Sequence, residues 1–196
     1  MARFFGEDGS KKLSLSEFKA FLRELQQRLL IMEFLHYDHN HSGVITGRDF
    51  ARSLIASADV RIVDNYLDKV SSMDAALGNR RFNQEEFLSF FTLVNYTHLL
   101  RTGARFFQQV RGPLGKAEFA GLVQKICGGL VLPDSQLEII FHLFGRPCGT
   151  LDINAFLDCL ARRRRANMLE WAHADGADSG SGQLSVLRCL QDCMMG

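Results

Sequence analysis

Apolar residues recur along this chain at two spacings. Phe18, Phe21, Leu22, Leu25, Leu29 and Phe34 fall every three or four positions, which predicts one long helix with an apolar side. Leu88, Phe90, Phe91 and Leu93 form a similar stripe, as do Leu137, Ile140, Phe141 and Phe144, the last preceded by Pro133 with Asp134 and Ser135 as expected N-terminal caps. Between stripes a short signature returns: an apolar anchor, three residues, an acid, then Phe. It reads Leu13 to Phe18, Ile45 to Phe50, Phe82 to Phe87 and Leu114 to Phe119, and once more without its acid from Leu151 to Phe156. The anchors stand 32, 37, 32 and 37 residues apart.

Self-similarity at this period marks a repeated helix–loop–helix unit, and the chemistry matches the end of an EF-hand loop. There the apolar anchor pairs in a short strand, the acid closes a metal cage, and Phe opens the exiting helix. The expected fold is all-α, with EF-hand repeats in pairs and a C-terminal helix. The 37-residue steps predict pairing of Ile45 with Phe82 and of Leu114 with Leu151. Residues 1–36 then form an unpaired degenerate hand and a connecting helix, 37–100 a pair with one intact loop, 101–165 a degenerate pair, and 166–196 a linker and amphipathic helix. Little precedes the first loop, so the chain is expected to begin inside a larger domain.

One loop keeps the alternating oxygens that a hard cation needs. Asp38, Asn40, Ser42, Thr46 and Asp49 offer side chains, Val44 offers its carbonyl, and Gly43 makes the turn. Calcium is the expected ion and magnesium a competitor. Only Asp38 and Asp49 bring charge, and Asp49 is a methylene shorter than glutamate, so affinity is expected at roughly 10⁻⁶ to 10⁻⁴ M. The other loops fail: Gly6 and Lys11 spoil the first, and Ala75, Leu77 and Arg80 the third. Phe107, Gln109 and Arg111 spoil the fourth, and the fifth is one residue short with Ala155 at its close. His36, His39 and His41 flank the good loop but are expected to point away from it.

Composition narrows the function. A net charge of +1 over 196 residues gives no sustained basic face for nucleic acid. Five scattered cysteines without a CxxC pair suggest neither a disulfide scaffold nor a zinc site. No nucleophile–base or paired-carboxylate arrangement stands out, so no enzyme is expected.

The stretch FFGEDGSKKLSLSEFKAFLRELQQRLLIMEFLHYD, followed by DFARSLIASADV, resembles the mitochondrial calcium uptake proteins, EF-hand regulators of the mitochondrial calcium uniporter, and the plant-type branch most. Similarity continues through RRFNQEEFLSFF and ICGGLVLPDSQLEIIFHLF. The resemblance implies a calcium-sensing subunit of the uniporter complex in the intermembrane space, peripheral to the inner membrane. It further implies a homo- or heterodimer with a related EF-hand protein, and a targeting segment and a further calcium loop upstream of Met1. A free-standing EF-hand adaptor or scaffold is the alternative.

HADGADSGSGQ reads as a flexible linker, and the helix after it places Leu184, Leu187 and Leu190 on one side. The resemblance makes this a partner-binding helix. Arg162, Arg163, Arg164 and Arg165 are candidate contacts to an acidic partner or an anionic membrane surface. Cys189 and Cys193, one helical turn apart, are candidates for an intermolecular disulfide.

Overall fold

The computed structural model describes residues 2–6, 10 and 12–174. In chain order the elements are α1 (Ala2–Phe5), α2 (Leu15–Tyr37), β1 (Val44–Thr46), α3 (Gly47–Ile55), α4 (Val63–Ser71) and α5 (Ala75–Gly78). They continue with β2 (Arg81–Asn83), α6 (Gln84–Phe91), α7 (Leu93–Arg111), α8 (Lys116–Ile126), α9 (Asp134–Phe144) and α10 (Ile153–Ala174).

The residue after each apolar anchor starts a helix. Ser14 Oγ accepts from the Glu17 amide at 3.2 Å while the Glu17 carboxylate accepts from the Ser14 amide at 2.9 Å, a reciprocal cap. Asn83 and Glu86 repeat it for α6, and Thr46 Oγ1 accepts from the Asp49 amide for α3. Asp152 accepts from the Ala155 amide at the start of α10. Gly115 has no side chain to cap with, and Glu118 folds over it, where a Cβ would meet the carboxylate. The acid that marks a metal loop in sequence is thus also a helix-start residue, and that role suffices to keep the signature in loops lacking the other oxygens.

The first pair closes through an antiparallel ribbon in which Ile45 faces Phe82. In the second, the Leu151 amide donates to the Leu114 carbonyl at 2.8 Å. Phenylalanines fill the space beneath. Phe50 stacks on Phe82 with centroids 4.7 Å apart and meets Phe90 edge-on at 5.0 Å, while Phe87 lies against Phe34 and Phe91. Phe119 and Phe144 meet Phe156 in the second pair. Each of these rings is buried, which stabilises by about 1.5–3 kcal/mol apiece. One continuous core joins the two pairs. Lys69 Nζ donates to the Leu143 carbonyl, and His142 Nε2 bonds the Lys69 carbonyl, tying α4 to α9.

Two expectations need correction. The fourth loop does not exist over Phe107 to Arg111: α7 continues to Arg111 and stops only at Gly112, whose φ of 89° turns the chain. Nothing between Leu93 and Arg111 breaks a helix by lacking an amide, so the helix runs on. The cap of α9 is Pro133, with no side-chain hydrogen bond; Asp134 is instead the first helical residue, where its charge complements the positive end of the helix.

Candidate metal centre

The entering helix α2 ends when the Asp38 amide donates to the Phe34 carbonyl, and the chain leaves helical geometry there. His41 at φ 53° and Gly43 at φ 76° both adopt left-handed backbone, and these two reversals fold residues 38–43 around one side chain. That side chain is Asp38, only 3% exposed. Its Oδ1 accepts from the Ser42 amide at 2.9 Å and from Ser42 Oγ at 3.1 Å, and its Oδ2 accepts from the Gly43 amide at 2.8 Å. Burial pushes the Asp38 carboxyl up, but the Gly43 and Ser42 donors outweigh it, and the net shift is below the ordinary carboxylate range. The loop holds an anion at its centre.

Ser42 Oγ also lies 3.1 Å from the Val44 carbonyl oxygen, so Asp38, Ser42 and Val44 converge as a hard-cation loop requires. Thr46 and Asp49 form a second group. Thr46 Oγ1 donates to Asp49 Oδ2 at 2.6 Å, and Arg52 pairs with Asp49 Oδ1 at 2.8 Å. Asn40 is exposed. The donor set is all oxygen and suits calcium or magnesium. Its closing carboxylate, however, must exchange Thr46 and Arg52 for the ion.

His39 and His41 are exposed, and the His36 ring meets Tyr37 and His39 edge-on. Among the described residues, no three His, Cys, Asp or Glu side chains gather as a transition-metal site would require. The paired third loop is differently built. Residues that would be its first ligands form the single turn α5, capped by Asp74, and Arg48 lies across Gly78 with its Nη2 donating to the Met73 carbonyl. Gly47 sits so near the Leu77 carbonyl that any Cβ would collide with it.

The basic run is placed otherwise than the sequence suggests. Arg163 is 3% exposed and turns inward, pairing with Glu33, donating to the Ser53 carbonyl at 2.6 Å and lying over the Phe91 ring at 3.7 Å. Arg162 pairs with Asp59, which also holds Arg61; these guanidiniums, that of Arg61 foremost, keep the Asp59 carboxyl well below its usual range. Arg163 is therefore an internal strut and not an exposed partner contact, because α10 packs along α7 and reaches α3, the helix that leaves the loop. Pattern reading missed this because four consecutive arginines look solvated, yet only one in four can face a core at helical spacing. Arg164 and Arg165 continue α10. Leu184, Leu187, Leu190, Cys189 and Cys193 lie outside the described residues.

No family model matches the chain. It is 34% identical over 165 residues to the mitochondrial calcium uptake protein of Arabidopsis thaliana, covering 83% of this chain and 33% of that protein. With calcium uptake protein 2 of Homo sapiens it shares 29% over 164 residues, covering 82% and 36%. Among solved structures, the apo form of "the mitochondrial calcium uniporter protein MICU2" superposes with a TM-score of 0.72 at 25% identity, over 89% of this chain and 54% of that one. Apo EFHA1 gives 0.66 at 26%, over 81% and 52%. This chain spans about a third of the length of the curated relatives it matches.

Capped helix–loop–helix units joined by a two-stranded ribbon over a phenylalanine core define an EF-hand protein. Over the residues compared, the chain belongs to the mitochondrial calcium uptake protein family, and its likeness to the Arabidopsis member agrees with the plant-type resemblance of its sequence.

Proposed function

We propose that this chain binds calcium in the Asp38–Asp49 loop and that occupancy of the loop regulates calcium uptake through the mitochondrial uniporter complex. The observation that carries the reading is the buried Asp38 carboxylate, held at the centre of a reversing loop beside Ser42 and the Val44 carbonyl. Asp38, Asn40, Ser42, Thr46 and Asp49 would hold the ion with the Val44 carbonyl, and magnesium would compete. The names of the relatives support the mitochondrial setting. The intermembrane space, peripheral attachment to the inner membrane and dimerisation with a related EF-hand protein belong to the same proposal. Among the described residues no helix is long and apolar enough to cross a membrane.

A binding site of micromolar order is mostly empty at resting calcium and fills during a signal. For filling to shift a block, calcium must bind the permissive state more tightly than the blocking one. The test is calcium uptake by mitochondria that lack the endogenous protein, complemented with the full-length protein carrying this loop intact or as Asp38→Ala. The wild type should set a calcium threshold and the variant should displace it. Equal thresholds would leave the loop without a sensing role and favour the reading as an EF-hand adaptor or scaffold.

A further inference from the structure

The helices that flank the calcium loop are α2, which ends one turn after Glu33, and α3, whose last turn includes Ser53. One buried side chain of α10 touches both. Arg163 forms an ion pair with Glu33 on α2 and donates to the Ser53 carbonyl on α3, while its guanidinium covers Phe91 at the end of α6. The last carbonyls of any helix lack intrahelical partners. Here α10 supplies them: Arg163 takes Ser53, and Cys159 Sγ donates to the Leu54 carbonyl at 3.0 Å. Arg162 adds a grip on Asp59 just beyond α3. Two residues of α10 thus hold the exiting helix and a third the segment that follows it, and Arg163 also holds the entering helix.

A clamp across the two helices of one hand is made only at one interhelical angle. Filling a sensor loop swings those helices apart. Glu33 and the Ser53 carbonyl then cannot both stay within reach of one guanidinium. We infer that Arg163 is a latch that holds the Asp38–Asp49 hand in this arrangement, and that the hold of α10 on the hand is released when the loop fills. This rests on the proposed calcium binding, and it adds the output of that site, which the loop alone does not identify. It also explains why a fully charged guanidinium is buried here. Breaking a buried ion pair by removing one partner is strongly unfavourable, so the latch biases the closed state, and that bias opposes calcium.

Linkage fixes the sign of the test. Removing a contact present only in the closed state must raise calcium affinity, whereas removing a contact common to both states leaves affinity unchanged. The chain has a single tryptophan, Trp171, within α10, so its anisotropy reports on that helix without a label. In calorimetry, Arg163→Met should bind calcium at least about fivefold more tightly than wild type. In the wild type, calcium should change the Trp171 anisotropy with the midpoint of binding. The calcium-free Arg163→Met protein should already show most of that change, and Asp38→Ala should show none on adding calcium. Should Arg163→Met fail to fold, Glu33→Gln keeps the contacts to Ser53 and Phe91 and must show tighter binding at smaller magnitude. Unchanged affinity in a folded Arg163→Met or Glu33→Gln protein would overturn the latch and leave the calcium site intact. A wild-type chain that binds no calcium would overturn both.

Discussion

The second and third loops lie side by side, joined by three pairs of residues across the β1–β2 ribbon, and have come to opposite ends. Both begin a helix with a polar cap, Thr46 in one and Asn83 in the other, and both bury an aliphatic or aromatic anchor in the same core. They differ in the first six residues. DHNHSG wraps around a buried carboxylate through two left-handed residues, whereas AALGNR has good helix formers, Ala75 and Leu77, where the first two oxygen ligands belong, and its first four residues coil into α5. The shared half of an EF-hand loop is therefore helix-start architecture, and the capacity for metal resides in the half that differs.

Moving the differing half is the most disruptive way to test this. Ala75→Asp, Leu77→Asn, Asn79→Ser and Arg80→Gly together give the third loop the ligands and turn of the second, with Glu86 already at its close. Calorimetry should then count two calcium sites per chain in place of one. A count that stays at one would show that Arg48 and the α5 turn, and not missing ligands, silence the third loop.

The contact between the loops comes next. Gly47→Ala puts a Cβ into the Leu77 carbonyl, so the ribbon must shift, and overpacking of this kind costs about 1–3 kcal/mol in denaturant unfolding. A neutral result would mean that the two loops are not in fixed register.

Removing either cap should cost about 1 kcal/mol of stability, but the two should part company over calcium. Thr46→Ala also removes a ligand and should weaken binding, while Asn83→Ala should leave it unchanged. Equal effects on affinity would erase the distinction drawn between the loops.

Much of this was legible in the sequence. The alternation of 32 and 37 residues gave the pairing of Ile45 with Phe82, and the stripe from Phe18 to Phe34 predicted a helix that the structure extends over Leu15–Tyr37. What pattern reading missed was long-range or negative. Arg163 reaches Ser53 and Glu33 across more than a hundred residues, a relation with no local periodicity. The fourth loop was misread because its anchor and acid imply a loop upstream, although Phe107 to Arg111 contain nothing to end a helix.

Acid should separate the two loops more mildly. The Asp38 carboxyl is held below its unfolded value, so its contribution is present above the unfolded pKa and is lost as pH falls through the lower folded one. Asp38→Asn should flatten this part of the stability profile below about pH 4, the ordinary range for a carboxylate.

The smallest effect concerns the backbone. His41 holds a left-handed conformation that most residues resist, so His41→Gly should stabilise the calcium-free chain, by about 0.5 kcal/mol once glycine's greater unfolded entropy is subtracted. Destabilisation would point to a contact of the imidazole that the loop needs.

The claim on which the rest depends is that this chain carries one divalent-ion site and that Asp38 is its centre. Calorimetric titration with calcium tests it directly: one site per chain, at roughly 10⁻⁶ to 10⁻⁴ M, absent in Asp38→Ala although that variant remains folded. Two or more sites of similar strength, no binding at all, or undiminished binding by Asp38→Ala would contradict it.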